Sequence, residues 1–315
     1  MLAAPGFAEH REVIKKTFQV KPGGKLFIDS ALGSINVSPG VADRVEVEVR
    51  ATVKGASEKR AKEILQDLEL QFKQTDNEIE ITTAKQHRGW NFWQNIGRRL
   101  RLHYEIRVPE KFDLDLTTAG GSIQVDGVEG EVEARTSGGS LKFGRIIGPV
   151  TGKTSGGSIE LEEGRGNVQF TTSGGSIRLG RIDGDIIART SGGSITIEQA
   201  RGTVQANTSG GSIKVNEVHA AIQARTSGGT ITAYITEQPQ EDCRLTTSGG
   251  SIHIYMKPDI ALNLDAKTSG GSVKTDFPVT VLGTLRRNRL EGKINGGGPE
   301  LYLRTSGGSI YLHKL

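Results

Sequence analysis

One cysteine, Cys243, is all the sequence holds, so no disulfide can close within the chain. Stability must come from packing and backbone pairing. Aromatic residues are scarce at 5%, with two Trp and two Met. That excludes a globular centre filled with rings and leaves a thin core of small and aliphatic side chains in rows. No run of about 18 apolar residues is present, which excludes a membrane-spanning helix. Neither sign of charge dominates: 40 basic residues face 36 acidic ones, for a net charge of +4. Bulk charge therefore excludes a nucleic-acid binder but leaves local basic patches open. The opening residues, Met1 to Glu9, lack the positive and apolar regions of an intact signal peptide. Gly6-Phe7-Ala8 reads either as what remains near a cleavage point or as an ordinary cytoplasmic start.

Glycine, by contrast, is abundant at 43 residues, and much of it belongs to a repeat. A Thr-Ser-Gly-Gly-Ser-Ile motif recurs ten times with small variations. Its threonines are Thr118, Thr136, Thr154, Thr172, Thr190, Thr208 and Thr226 at steps of 18, then Thr247, Thr268 and Thr305 after steps of 21, 21 and 37. Within one unit, Ile195 and Ile197 alternate with polar residues, and Val204 and Ala206 do so again. That period of two marks strands with one buried face. Gly192, Gly193 and Gly202 fall at the corners, where positive φ is the expected reason for glycine. Eighteen residues cannot close a core alone, so the units must stack, each strand pairing with its counterpart in the next coil.

Stacking turns the repeat into ladders. One runs Ile123, Leu141, Ile159, Ile177, Ile195, Ile213, Ile231, Ile252, Val273 and Ile310; another runs Val132, Val150, Val168, Ile186, Val204 and Ile222. Both read as core. The motif threonine is in phase with them and is expected to point inward and bond between coils, which argues against an ice-binding array. Residues 1–117 read as a β-rich cap continuous with a solenoid over 118–315. Leu32 to Val37 is a degenerate copy of the turn and first strand. Ser57 precedes a helix with Ala61, Ile64, Leu65 and Leu68 on one face, followed by strands at Leu68–Phe72 and Glu78–Thr82. Asn295-Gly296-Gly297-Gly298 reads as a turn within an extended coil.

The Gly-Ser-Ile-Asn-Val element, the helix, Ile106-Arg107-Val108-Pro109 and the repeat series together resemble the bacterial "putative adhesin" family of β-strand repeat domains, a family without established function. The resemblance spans nearly the whole chain. It implies an all-β, right-handed parallel β-helix and an extracytoplasmic or envelope-associated setting. It carries no catalytic motif and names no ligand.

The residues point to binding rather than catalysis. No acid recurs beside the glycine pair as calcium-binding repeats require, and six His with one Cys show no zinc spacing. No cofactor is expected. Glycoside cleavage needs clustered carboxylates. The best cluster is Glu160, Glu162 and Glu163 with Glu198, but Glu160 falls between Lys142 and Arg178, and Glu163 between Arg145 and Arg181. Ladder ion pairs explain it. A carbohydrate-active enzyme and an inert spacer or oligomerisation rod remain as alternatives.

Two features suit ligand binding. The position before each motif Thr is mostly basic: Arg135, Lys153, Arg189, Arg225, Lys267 and Arg304, interrupted by Thr171 and Asn207. A row of cations suits an anionic glycan, a membrane surface or another envelope protein; alternatively, these side chains cap turns or pair with acids. The segment 85–101 holds Trp90, Phe92 and Trp93 beside His87, Arg88, Arg98, Arg99 and Arg101. It suits an interface or a sugar, or else plugs the end of the solenoid.

Overall fold

The computed structural model describes residues 9–66, 68, 70–83, 99–281 and 286–315. Their regular structure is all strand but for one helix, and they fall into two compact units, Met1–Ile147 and Gly148–Leu315.

In the second unit the repeat closes as a two-sheet β-solenoid. Each 18-residue coil gives one strand to each sheet, joined by tight corners. In the Thr190 coil these are Ile195–Ala200 in the first sheet and Val204–Asn207 in the second. Pairing between coils is parallel and in register: Ile177 faces Ile195, which faces Ile213, and Ile186 faces Val204, which faces Ile222. The inward side chains are at most 2% exposed at all these positions. Phe170, fully buried, fills the place that small residues take in neighbouring coils.

The corners explain the motif. Thr190 Oγ1 donates to the Gly175 carbonyl of the preceding coil at 2.8 Å and accepts from the Gly193 N–H at 3.3 Å. The same pair of bonds recurs at Thr172, Thr208 and Thr226. These threonines are buried, as their phase requires, and the hydroxyl satisfies backbone groups that the turn leaves over. Ser194 extends the pattern outside the core, its N–H donating to Ser176 Oγ at 3.1 Å.

The glycines of the pair answer to a different constraint from the one expected. Neither Gly192 nor Gly193 has positive φ, nor does Gly202. A Cβ on Gly193 would lie 2.1 Å from the Gly175 carbonyl oxygen, so the second glycine is there because stacked turns touch backbone to backbone. Positive φ is instead found at the opposite corner, at Gly166 with φ +136°.

Coil order departs from sequence order. Cys243–Thr246 pairs with Glu300–Thr305, and only then comes Leu262–Thr268. In the first sheet Ile252–Met256 likewise pairs with Ile310–Lys314, which pairs with Val273–Thr275. The inward ladder therefore runs Ile252, Ile310, Val273 rather than by residue number. Asn295 to Gly297, all at positive φ, form a turn that reverses the chain after Arg289–Ile294, which lies antiparallel to Leu262–Thr268. That segment is an antiparallel excursion rather than part of an extended coil.

The first unit mixes modes. Its first sheet runs from His10–Gln19 through Arg44–Val53 and Leu100–Val108, all antiparallel, to Ser34–Pro39 and Ile123–Val125, which pair in parallel. Ile35 faces Ile123, so the degenerate repeat copy pairs as one. In its second sheet Gly24–Ser30 lies between Glu78–Thr83 and Phe112–Thr118. The helix spans Glu58–Gln66, buries Ala61 and Ile64, and is capped by Ser57 Oγ, which accepts from Arg60 N–H at 3.4 Å. The strand after it begins at Leu70, two residues later than expected, although Leu68 is buried. Tyr104, also buried, bonds through its hydroxyl to Ser30 Oγ at 2.8 Å.

Candidate functional site

On the outward side of the second sheet of Gly148–Leu315, two columns of side chains alternate with the buried ones. The column before the motif threonines reads, in spatial order, Lys153, Thr171, Arg189, Asn207, Arg225, Thr246, Arg304 and Lys267. The column two residues earlier reads Thr151, Gln169, Ile187, Gln205, Gln223, Arg244, Tyr302 and Asp265. From Val150–Lys153 to Cys243–Thr246 neither column contains a carboxylate.

The six expected cations divide by their partners. Arg304 is held by an ion pair with Asp265 and donates from Nη1 to the Asp265 carbonyl at 2.8 Å. Arg135, in the first unit, pairs with Asp115 at 3.3 Å and with Glu133. For these two the sideways pairing with acids holds. Lys153, Arg189, Arg225 and Lys267 are exposed and have no carboxylate within ion-pair distance among the described residues. The structure thus brings Lys153, Arg189, Arg225, Arg304 and Lys267 onto one face, while Arg135 belongs to the other unit.

Beside Arg225 the face opens into a groove of about 400 Å³, lined among others by Gln205, Asn207, Gln223, Arg225, Arg244 and Tyr302. The guanidinium carbons of Arg244 and Arg304 sit 4.1 and 4.0 Å from the centre of the Tyr302 ring, within cation–π range. Arg304 is neutralised by Asp265. Arg244 has no carboxylate within ion-pair distance among the described residues, so it and Arg225 are the cations that converge on the groove, with amide side chains between them. Such a lining offers charge-assisted hydrogen bonds to an anion.

Arg99 is exposed at a turn, where its carbonyl accepts from Lys54 N–H at 2.9 Å. Trp90, Trp93 and Arg98, with His87, Arg88 and Phe92, lie outside the described residues. Of the carboxylates considered for catalysis, Glu160 is 2.8 Å from Arg178 and Glu163 is 3.4 Å from Arg181. Among the described residues no group of three His, Cys, Asp or Glu side chains is placed to hold a metal ion. No helix among them is long and apolar enough to cross a membrane.

One feature escaped the sequence reading. On the outward side of the first sheet, Tyr234, Tyr255 and His313 stack in one column with centroids 4.6 and 4.8 Å apart. His253 and Tyr311 stack in the next column at 4.7 Å. Burial, then the neighbouring charge of His313, holds the His253 pKa below its usual value. The signal was available: aromatic or imidazole side chains take alternate positions in Ile252–Met256 and again in Ile310–Lys314.

The sequence pattern of the Toastrack DUF4097 family matches residues 24–313. Solved structures with a similar course include three from bacteria. A protein from Bacteroides fragilis named a putative adhesin is 13% identical, covers 96% of this chain and 97% of its own, and gives a TM-score of 0.32. One from Parabacteroides distasonis, named a putative lipid binding protein, is 12% identical over 95% and 96%, with a TM-score of 0.39. One from Clostridium sporogenes, named a putative cell adhesion protein, is 12% identical over 96% and 100%, with a TM-score of 0.24. No curated protein matches the chain.

Proposed function

This chain belongs to the Toastrack DUF4097 family, and we propose that it is a non-catalytic, envelope-associated binding module that holds anionic surface material on the second sheet of its C-terminal unit. The observation that carries this reading is the acid-free outward face from Val150–Lys153 to Cys243–Thr246, with Lys153, Arg189 and Arg225 free of carboxylate partners. Exposed cations usually sit among acids, because like charges on neighbouring strands destabilise a sheet. Here Thr171 and Asn207 separate the cations, which spares the fold that repulsion and leaves the charges to a ligand. Several weak contacts on one rigid face add through effective concentration, so a polymer or a surface binds where a single anion would not. Dissolved ions screen each contact over about 8 Å at physiological ionic strength, so the binding is salt-sensitive.

Cosedimentation with phosphatidylglycerol vesicles and with an acidic polysaccharide tests the reading. Binding is expected at low salt, with a steep fall as salt rises and a loss of about tenfold in the Arg189→Ala/Arg225→Ala/Lys267→Ala variant. If the parent protein binds neither at low salt, the reading fails and an inert spacer takes its place. Turnover of polysaccharide that disappears in Glu160→Gln or Glu163→Gln would overturn the non-catalytic part.

A further inference from the structure

The binding face has a rhythm that names its ligand more narrowly. We propose, resting on the binding reading above, that the ligand is a polysaccharide in which acidic and neutral sugars alternate, lying across the strands of this sheet.

Consecutive strands of the solenoid form rungs about 4.8 Å apart. From Lys153 to Arg225 the column before the motif threonines alternates strictly between a cation and an uncharged amide or hydroxyl, while the column two residues earlier carries no charge. The charged rungs carry Lys153, Arg189 and Arg225. Those between carry Gln169 with Thr171 and Gln205 with Asn207. Cations therefore recur about every 10 Å, with a pair of uncharged donors and acceptors midway. An extended pyranose chain advances by about one rung per sugar, so a carboxylate on every second sugar meets a cation each time. The sugars between present hydroxyl or acetamido groups to Gln and Asn side chains, which can both donate to and accept from them.

Other polyanions fit this rhythm less well. A chain with a carboxylate on every sugar would place half its charges on Thr171 and Asn207 rungs, where no cation answers them. A fluid bilayer has no fixed spacing and would gain nothing from the alternation. The pattern ends at the groove, where the charge moves to the neighbouring column at Arg244 and Tyr302 lies beneath it. The repeating part of the site thus spans five rungs, Lys153 to Arg225.

Titration calorimetry at one low salt concentration, with three probes, tests this. Hyaluronan carries a carboxylate on alternate sugars, polygalacturonate carries one on every sugar, and phosphatidylglycerol vesicles carry phosphate. Hyaluronan should bind about tenfold more tightly per carboxylate than polygalacturonate. Gln205→Ala/Asn207→Ala, compared at unchanged thermal midpoint, should weaken hyaluronan binding about threefold and leave its salt dependence intact, since no charge is removed. Thr171→Lys/Asn207→Lys should transfer the preference to polygalacturonate. Equal binding of the two polysaccharides, a preference for vesicles, or no effect of the amide variant overturns the alternating-sugar ligand and leaves polyanion binding standing. Failure of all three probes to bind removes the binding reading itself.

Discussion

The corresponding outward positions in the two units carry opposite solutions to the same problem. In Met1–Ile147 they hold Phe27 and Asp29, Asp115 and Thr117, then Glu133 and Arg135, and Arg135 is neutralised by Asp115 and Glu133. In Gly148–Leu315 six successive rungs hold cations, amides and hydroxyls, with one Ile187 among them, and no carboxylate. The buried positions beneath are alike, predominantly aliphatic in both, with Phe112 in the first and Phe170 in the second. The inward ladders therefore fix the fold, and the outward columns are left to vary, so whatever distinguishes one stretch of solenoid from another is written outside the core.

Three experiments bear on that contrast. The largest effect tests the shared scaffold. Gly193→Val would force a side chain into the Gly175 carbonyl and should cost about 3 kcal/mol in thermal or urea melts. At Gly192 a Cβ would meet the Gly174 oxygen at 3.3 Å, and the same change there should cost about 1 kcal/mol. Equal costs would mean that stacking distance is not what selects the second glycine.

An intermediate effect is specific to the first unit. Burial pushes the Tyr104 pKa up to about 12, opposed by its hydrogen bond with Ser30. The folded value lies above the unfolded one. Its contribution is therefore complete below pH 10.0 and is lost as pH rises toward about 12. A loss on the order of 2–3 kcal/mol is expected across that window. Tyr104→Phe should flatten the alkaline slope; a slope unchanged in that variant would place the sensitivity elsewhere.

The smallest effect is the most discriminating. Arg225→Ala should weaken polyanion binding about threefold, whereas Arg135→Ala, whose guanidinium is already engaged by acids, should leave it unchanged. Loss of binding in Arg135→Ala would erase the distinction between the two faces.

Much of the scaffold could be read from residues alone. Six equal steps of 18 gave the coil, period-two alternation gave the strands, and the phase of Thr136 with Val132 and Ala134 turned the motif threonine inward, where the hydroxyl of Thr190 bridges two coils. The placement of Glu300–Thr305 was not readable, because coils built to one template are interchangeable partners: Leu303 and Ala266 suit the same place beside Leu245. The role of Gly193 was missed for a related reason. Steric contact between coils is a long-range fact, whereas positive φ is a local one and was the reading at hand. Of the site, the basic column was legible residue by residue. Its sorting into paired and unpaired cations depended on acids such as Asp265, which reaches Arg304 from a coil 39 residues away in sequence. The stacked rings at Tyr234, Tyr255 and His313 went unnoticed because Tyr in a strand is unremarkable until its neighbour in the next coil is known.

The displaced coil has a consequence for how the molecule is made. Leu262–Thr268 leaves the ribosome before Glu300–Thr305, yet it pairs with Cys243–Thr246 only through that later strand. The second unit cannot grow by adding each coil to the last one finished. Residues 262–275 have no partner on that side until residues 300–314 are in place. The strand edges on both sides of that gap therefore stay open during synthesis until the later strand has been made.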